Sequence, residues 1–180
     1  MLLLCRCLSS SEAKQEKLPN IVYILTDDLG YGDLSCLKRG VLGGASKHLI
    51  NPERQSVADL LKTKGYDTAM IGKWHLGWDF PIADKKAKSK GLSFSGKIHW
   101  DQPVTNGPDS IGFNYYYGHC GSLDMAPYVY VENGKITAAP NRITENKGKG
   151  FWRQGPTGSG FTHIEVLPNF VNRACKYIDE

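Results

Sequence analysis

The apolar positions of the chain fall into two patterns, short continuous runs and stripes with helical spacing. The run Ile21–Leu25 has no polar alternation, which is typical of a strand buried on both faces of a parallel sheet. The segment Glu53–Lys64 carries aliphatic residues at positions i, i+3 and i+4 and ends before Gly65, which predicts a helix with a left-handed terminal residue. The aliphatic residues are Val57, Leu60 and Leu61. Tyr66–Ile71 follows as a second predicted strand, and the order strand, helix, strand predicts an α/β domain with parallel pairing.

The second half of the chain is richer in aromatic residues and in glycine. Tyr128–Val131 is predicted to be a strand that turns at Asn133-Gly134, a dipeptide favoured in tight hairpins. Residues 141–162 contain five glycines and are predicted to form a long loop. Apolar residues then recur on one face of a final predicted helix, with Pro168 in its first turn. They are Phe170, Val171, Ala174, Tyr177 and Ile178.

Length and charge narrow the possible classes of protein. A chain of 180 residues is long enough for one domain with a buried core, and residues 1–18 are expected to be a flexible lead-in or the remnant of a secretory signal before a domain at 19–180. The net charge of +4 is too small to indicate a nucleic-acid or membrane partner. The lysine-rich residues 83–97 lack the interleaved aromatic residues of a nucleic-acid site, which favours a solvated loop. No apolar run is long enough to span a membrane. The five cysteines have no metal-type spacing and leave the redox compartment open.

Candidate chemistry follows the two predicted strands. Asp27 and Asp28 come directly after the first strand, where adjacent carboxylates either form a solvated turn or bind a hard cation such as Ca²⁺ or Mg²⁺. Lys73 and His75 follow the second strand, and in an extended segment their side chains share one face. Because ligands bind beyond the carboxyl ends of strands in open α/β sheets, the four residues are expected to meet at one crevice. A cation, a lysine and a histidine together suit a tetrahedral oxyanion such as a sulfate or phosphate ester.

The segments around these residues resemble those of a known family. Pro19–Asp33 resembles the opening motif of the sulfatase family, within the alkaline-phosphatase-like superfamily, and Gly65–His75 resembles its second signature. Gly112–Gly118 and Ser122–Asn133 are similar to further arylsulfatase segments, so that the likeness extends from Pro19 to Glu180. The resemblance implies an incomplete alkaline-phosphatase-like domain, a mainly parallel sheet flanked by helices.

The resemblance also implies roles for the four candidate residues. Asp27 and Asp28 correspond to calcium ligands, Lys73 to a residue that contacts the sulfate, and His75 to one that orients the nucleophile or assists at the sulfate. The substrate would be a sulfated small molecule or glycan. The family's members are expected in secreted, periplasmic or lysosomal locations.

The sequence departs from the family at the nucleophile. Sulfatases use a formylglycine made from the first residue of a Cys/Ser-x-Pro/Ala-x-Arg motif, which should lie between the Asp pair and Gly72-Lys73-Trp74-His75, and no such motif is present. Cys36 and Leu37 resemble the two sides of an internal deletion of several dozen residues. Further metal and sulfate ligands of the family would follow Glu180.

The alternatives are therefore three. The chain is a calcium-dependent sulfuric ester hydrolase impaired by this loss, an inactive truncated variant or pseudoenzyme, or a phosphodiesterase-like member of the superfamily. The segment Gly72–His75 favours a sulfatase over a phosphodiesterase.

Overall fold

The computed structural model describes residues 18–24, 43–51, 53–83, 98–145, 150 and 152–180. The chain divides into two compact units, Met1–Cys36 and Leu37–Glu180. Their boundary coincides with the junction between Cys36 and Leu37 that the sequence singles out as the site of a deletion. Within the described ranges, no helix is long and apolar enough to cross a membrane.

The first unit does not contain the strand predicted at Ile21–Leu25 in its described part. Residues 18–24 have no strand pairing, and the side chains of Ile21–Ile24 are 60–83% exposed. The prediction of a buried strand is therefore wrong for these residues. A continuous apolar run becomes a buried strand only when other elements cover both of its faces, and residues 21–24 have no such cover. Leu25, Asp27 and Asp28 lie outside the described residues.

A four-stranded sheet lies at the centre of the second unit. Its strands, in spatial order, are β1 (Ala69–Lys73), β2 (Tyr115–His119), β3 (Val131–Glu132) and β4 (Lys135–Ile136). The longest pairing, between β1 and β2, is parallel and sets Lys73 opposite His119. The two shorter pairings are antiparallel. A parallel strand pair with α2 packed against it confirms the predicted α/β class.

The hairpin between β3 and β4 forms where the sequence predicts it. Asn133 and Gly134 both have positive φ, 46° and 77°, which matches the right-handed twist of the flanking strands. The predicted strand is displaced, because the β3 pairing begins at Val131 and Tyr128 makes only an isolated bridge to Thr157.

The predicted loop at residues 141–162 instead contains most of a second, two-stranded sheet. β5 (Pro140–Thr144) pairs antiparallel with β6 (Gly155–Gly158). The prediction of a loop is wrong, because hydrogen bonds between residues distant in the sequence stabilise strands despite the turn-like composition. The Arg142 guanidinium donates to the carbonyl oxygen of Gly158 at 2.8 Å and to that of Phe161, and the hydroxyls of Thr144 and Thr157 are 2.6 Å apart.

Both predicted helices are present. α1 (Val57–Lys62) begins at Ser56, whose hydroxyl accepts from the Asp59 amide at 2.9 Å while the Asp59 carboxylate accepts from the Ser56 amide at 3.0 Å. This capping box satisfies two amides that the first helical turn leaves unpaired. α2 (Val166–Asp179) follows the 3₁₀ turn His163–Glu165, and a second 3₁₀ turn spans Pro108–Ile111. The predicted left-handed residue after α1, Gly65, has φ of 83°.

Each helix exposes apolar residues as well as burying some. On α1, Ala58 is buried, whereas Val57 and Leu60 are 73% and 49% exposed, so the predicted stripe does not face the core. On α2, the side that faces the sheet includes Val166 and Phe170. Exposed apolar side chains on and beside this helix form a second stripe, composed of Ile164, Leu167, Val171 and Ile178. Val171 and Ile178 were predicted to share one face with Phe170, but they are exposed whereas Phe170 packs against the core.

The side chains of β2 alternate between two apolar cores. Tyr116 packs with Trp74, Trp78 and other residues on one face of the sheet. Tyr117 packs on the opposite face with Phe161, Val166 and the partly buried Phe170. Gly118 lies where β1 and β2 approach most closely, since a Cβ atom there would be 1.7 Å from the carbonyl oxygen of Gly72. The close pairing of the two strands therefore requires glycine at position 118.

The segment that follows β1 is anchored by Asp79. Its carboxylate accepts hydrogen bonds from the Asn106 amide at 2.7 Å and from His48 Nδ1 at 2.9 Å, and its backbone exchanges two hydrogen bonds with Thr105. Burial opposes ionisation of this carboxyl, but the hydrogen bonds from Asn106 and His48 outweigh burial and lower the pKa of Asp79.

Candidate functional site

Lys73 and His75 lie at the carboxyl end of β1, as predicted. Lys73 is the last residue of β1. Backbone hydrogen bonds to the end of β2 and the residue after it continue past Lys73. The Trp74 amide donates to the His119 carbonyl at 2.9 Å, and the His75 amide donates to the Cys120 carbonyl at 2.9 Å. These bonds fix the backbone of both candidate residues against the end of β2.

The extended conformation predicted through His75 is wrong. His75 has φ of 54°, in the left-handed region that few non-glycine residues adopt. Trp74 is buried in the apolar core that also contains Trp78 and Tyr116, and its indole N–H donates to the Gly77 carbonyl at 2.8 Å. The chain thus turns at His75, and the simple alternation of a strand no longer determines where its imidazole lies.

Ser122 is a further residue of the site, and no sequence motif indicated it. Its Oγ lies 3.3 Å from His75 Nδ1, within hydrogen-bond distance. Ser122 comes three residues after the end of β2. A correct prediction of that strand end would have placed it beside Lys73 and His75, because parallel strands present their carboxyl ends at the same edge of a sheet.

His119 is a second residue that the sequence did not single out. Its side chain is 2% exposed and contacts the rings of Phe161 and Phe170, with centroids 5.6 and 5.9 Å away. Burial, together with the positive charges of Lys73, His163 and His75, lowers the pKa of His119 to about 3. His119 is therefore neutral at physiological pH and lies within electrostatic reach of both candidate residues.

A third histidine, His163, lies in the same aromatic surroundings. Its ring stacks on Trp152 at 4.5 Å and meets the edge of Tyr128 at 4.6 Å. Burial lowers its pKa, and the charge of Arg142 acts in the same direction while a backbone hydrogen bond opposes them. The face of the sheet beneath α2 thus contains two histidines that the protein holds in the neutral form.

Cys120 lies next to the site but has the wrong chemistry for a nucleophile. Its side chain is buried, and burial raises the pKa of the thiol to about 12. Because the thiolate and not the thiol is nucleophilic, Cys120 stays inert near neutral pH. Of the cysteines in the described ranges, Cys120 and the exposed Cys175 are both free thiols.

The described residues do not test the predicted metal site. Among them there is no group of three or more His, Cys, Asp or Glu side chains that could hold a metal ion. The two predicted ligands, Asp27 and Asp28, lie outside the described ranges. Calcium binding by this pair, and its meeting with Lys73 and His75, therefore stay predictions.

The arrangement at the strand ends suits an anion. Lys73 carries a positive charge, and the imidazole of His75 and the hydroxyl of Ser122 can donate hydrogen bonds. A tetrahedral anion accepts hydrogen bonds on all of its oxygens, and its charge is stabilised by a nearby cation. The residue types at the strand ends are therefore those that a sulfate-like group requires.

The relatives described below, found by comparison with known proteins, are all sulfatases. A family model described as Sulfatase matches residues 40–119, which include β1, β2, Lys73 and His75 and end before Ser122. The N-acetylgalactosamine-6-O-sulfatase of Bacteroides thetaiotaomicron is 28% identical over 191 residues, covering 78% of this chain and 34% of the relative. Arylsulfatase G of Mus musculus is 27% identical over 206 residues, covering 86% of this chain and 33% of the relative.

A solved structure shows the same fold. Its title is "Metabolism of multiple glycosaminoglycans by bacteroides thetaiotaomicron is orchestrated by a versatile core genetic locus". The TM-score is 0.54 and the identity 22%, over 77% of this chain and 33% of that chain. The chain thus spans about a third of the length of the relatives and the structure that it matches.

The alignments also show that the relatives contain residues that this chain lacks. The alignment with mouse arylsulfatase G has 206 positions, more than the 180 residues of the whole chain. It covers 86% of the chain, or about 155 residues, which leaves about 50 positions without a counterpart. The Bacteroides alignment, with 191 positions for 78% of the chain, leaves about the same number. A gap of this size fits the internal deletion expected from the sequence. The matched family model and these relatives make the chain similar to sulfatases, and the solved structure shows that it shares their fold.

Proposed function

We propose that this chain binds sulfate monoesters at Lys73, His75 and Ser122 and does not hydrolyse them. The observations that carry the proposal are the contact of Ser122 Oγ with His75 Nδ1 at 3.3 Å and the position of Lys73 two residues before His75, at the carboxyl end of β1. Sulfatases are sulfuric ester hydrolases, which makes the sulfate ester the first ligand to consider for such a site.

The chemistry of the three residues supports a sulfate group in particular. The lysine ammonium is a compact point charge, and the imidazole and hydroxyl donate hydrogen bonds with defined directions. Hydrogen bonds to a charged partner are each worth about 1.5–3 kcal/mol. Loss of Lys73 should therefore weaken sulfate binding by about tenfold to a hundredfold.

The absence of turnover follows from the absence of a nucleophile. The sequence has no Cys/Ser-x-Pro/Ala-x-Arg motif from which formylglycine could be made. Near the site, the buried thiol of Cys120 is held protonated by a pKa of about 12. Covalent catalysis needs an activated nucleophile, and this chain offers none of the kind that the family uses.

Calcium at Asp27 and Asp28 is part of the same proposal, with Mg²⁺ as the alternative ion. A divalent cation would offset the repulsion between the two adjacent carboxylates and would supply positive charge to a bound sulfate. Calorimetric titration with Ca²⁺ tests this directly, since the double variant Asp27→Asn, Asp28→Asn should lose whatever binding the unaltered chain shows. Equal binding by both proteins would refute the assignment. For location we propose the secreted, periplasmic or lysosomal compartments.

The experiment that tests the proposed function measures hydrolysis and binding on the same protein. With 4-nitrophenyl sulfate, the full chain should release no 4-nitrophenol above the blank, yet should bind the ester in a calorimetric titration. Lys73→Ala should weaken that binding by at least about tenfold. Lys135→Ala removes a lysine from β4, away from the strand ends, and should bind like the unaltered chain.

Two results would contradict the proposal. Binding that is equal in the Lys73→Ala and Lys135→Ala variants would show that the strand ends do not hold the ester. Hydrolysis that disappears in Ser122→Ala would show that Ser122, with His75 as its base, acts as a nucleophile in place of formylglycine.

A further inference from the structure

Residues 43–50, which we name the brace, contact both of the loops that carry the site. The His75 loop is residues 76–79, directly after His75, and the Ser122 loop is residues 121–126, which include Ser122. The brace belongs to the same compact unit as both loops. It contacts each loop through its own set of bonds and close approaches.

The first set of contacts joins the brace to the chain after His75. The Leu49 amide donates to the Leu76 carbonyl at 2.9 Å, and the Trp78 amide donates to the Ser46 carbonyl at 3.1 Å. The two hydrogen bonds run in opposite directions between the same two segments. They hold the brace alongside the His75 loop as two neighbouring strands would be held.

A side-chain hydrogen bond and a glycine tighten this first connection. His48 Nδ1 donates to the Asp79 carboxylate at 2.9 Å, and the His48 amide donates to the same carboxylate at 3.4 Å. Gly77 has φ of 73°, and a Cβ atom there would be 2.0 Å from the Lys47 carbonyl oxygen. The backbones of the brace and the His75 loop are therefore in direct contact, with no space for a side chain between them.

The second set of contacts joins the brace to the Ser122 loop. Gly44 is buried, and a Cβ atom there would be 2.3 Å from the Ala126 carbonyl oxygen and 3.1 Å from that of Met125. A Cβ atom at Gly121 would in turn be 3.4 Å from the Gly44 Cα. The loop thus touches the backbone of the brace on both sides of Ser122, and glycine at position 44 permits this close approach.

The brace also has a defined shape of its own. The Ser46 amide donates to the Gly43 carbonyl at 3.1 Å, and the Gly43 amide donates to the Ser46 hydroxyl at 2.8 Å. Ala45 and Ile50 pack against the apolar core that contains Trp74. A segment that is closely packed and internally bonded resists deformation, so a displacement at one end is felt at the other.

We propose that the brace positions Ser122 against His75, with Gly44 as the positioning residue at its Ser122 end and His48 at its His75 end. The proposal rests on the function proposed above, because it concerns the same site. Ser122 and His75 are 47 positions apart in the sequence, and the bond from the His75 amide to the Cys120 carbonyl joins their loops only at the base. The brace joins the loops beyond that point. Two donors that are already held together lose less freedom when an anion binds, which strengthens binding.

The main test is a double-mutant cycle between Gly44 and Ser122. Gly44→Ala places a Cβ atom against the Ala126 carbonyl and displaces the Ser122 loop, so affinity for 4-nitrophenyl sulfate in a calorimetric titration should fall about tenfold, as for the loss of one hydrogen bond to a charged group. Ser122→Ala should cause a similar loss. The double variant should bind no more weakly than Ser122→Ala alone, because Gly44 acts through Ser122. Losses that multiply would overturn the proposal, since Gly44 would then affect binding independently of Ser122.

Gly158→Ala is the matched control for Gly44→Ala. Gly158 is also buried, and a Cβ atom there would be 2.7 Å from the Ala138 carbonyl oxygen. The substitution therefore crowds a backbone carbonyl beside β6, outside the site. It should lower the stability in urea as Gly44→Ala does, and it should leave the affinity for the ester unchanged. An equal loss of affinity in the two variants would mean that any loosening of the fold weakens binding, and the positioning role would be lost.

His48 tests the other end of the brace with a milder change, which decides the matter even if Gly44→Ala does not fold. His48→Ala removes the donor to Asp79, whereas His48→Asn places an amide N–H close to the position of Nδ1. The ¹⁵N NMR signals of the His75 imidazole, recorded without any ester, should shift in His48→Ala and keep their positions in His48→Asn. Unchanged signals in His48→Ala, or equal shifts in both variants, would refute the role of His48.

The same spectra separate this proposal from the function on which it rests. Without ester, the His75 signals should shift in Gly44→Ala and in Ser122→Ala and should stay in place in Gly158→Ala. If these shifts occur and the unaltered chain binds no ester, the brace positions Ser122 and the proposed function fails. If the ester binds and Gly44→Ala leaves the His75 signals in place, the proposed function stands and the role of the brace is wrong.

Discussion

Replacing His119 by phenylalanine should make the protein more resistant to acid. The folded state holds His119 neutral, with a pKa of about 3, whereas the unfolded chain has the ordinary value of 6.5. Below pH 6.5 the unfolded state therefore binds a proton that the folded state does not, and the free energy of unfolding falls as the pH is lowered. The His119→Phe variant has no such group and should not show this part of the fall.

The size of the effect follows from the two pKa values. Each pH unit between them costs about 1.4 kcal/mol of stability. Between pH 6.5 and 4.5 the loss due to His119 is about 2 kcal/mol, and it levels off near pH 3, where the folded state also takes up the proton. Domains of this kind are typically stable by about 5–15 kcal/mol, so the loss is a substantial fraction of the total.

Urea denaturation, followed by the fluorescence of the buried Trp74 and Trp78, measures the difference. The unaltered chain should lose about 2 kcal/mol more than His119→Phe between pH 6.5 and 4.5. His163 is present in both proteins, so its own contribution cancels in the comparison. Parallel pH profiles for the two proteins would refute the reasoning, since they would mean that His119 is solvated or already protonated in the folded state.

Three further substitutions test the contacts that position the site. Gly118→Ala should destabilise the protein by more than about 3 kcal/mol in urea, because its Cβ would overlap the backbone of β1, whereas Gly160→Ala has open space and should change little. Equal stability of the two variants would contradict the close pairing. Asp79→Ala should cost about 1–3 kcal/mol at pH 7, because it leaves three donors of His48 and Asn106 without their acceptor. The loss should shrink below pH 3.8 as the native carboxyl is protonated through its lowered pKa. A loss that is the same at pH 7 and pH 3 would argue against an ionised Asp79. Ser56→Ala should cost about 1 kcal/mol in thermal or urea unfolding through loss of the α1 cap, and no change would show that the cap is not formed in solution.

The sequence predicts best the elements whose conformation is decided locally. The hairpin at Asn133-Gly134 forms as predicted because these residue types tolerate positive φ, whatever surrounds them. The helix predicted over Glu53–Lys64 forms as α1, but it begins later, after Ser56, where Ser56 and Asp59 form a capping box. The strand β1 and the position of Lys73 at its end follow from an apolar run that stops at polar residues.

Elements that depend on distant partners are the ones that the sequence misjudges. Ile21–Ile24 has the composition of a buried strand and is exposed, because burial depends on covering elements that a local pattern does not reveal. The glycine-rich β6 has the composition of a turn and becomes a strand, because Arg142 and Thr144 supply hydrogen bonds from β5. Among the site residues, Ser122 and His119 could not be found in advance, because their positions depend on how β2 pairs with β1.

The central claim is that Lys73, His75 and Ser122 form one site for a sulfate ester. The most direct measurement is an NMR titration of the full chain with 4-nitrophenyl sulfate, which observes the Lys73 ammonium, the His75 imidazole and the Ser122 amide. The three signals should shift together and saturate at one ester concentration, and the shifts of His75 and Ser122 should vanish in Lys73→Ala. Signals that move independently, or do not move at all while the ester binds elsewhere, would contradict the claim.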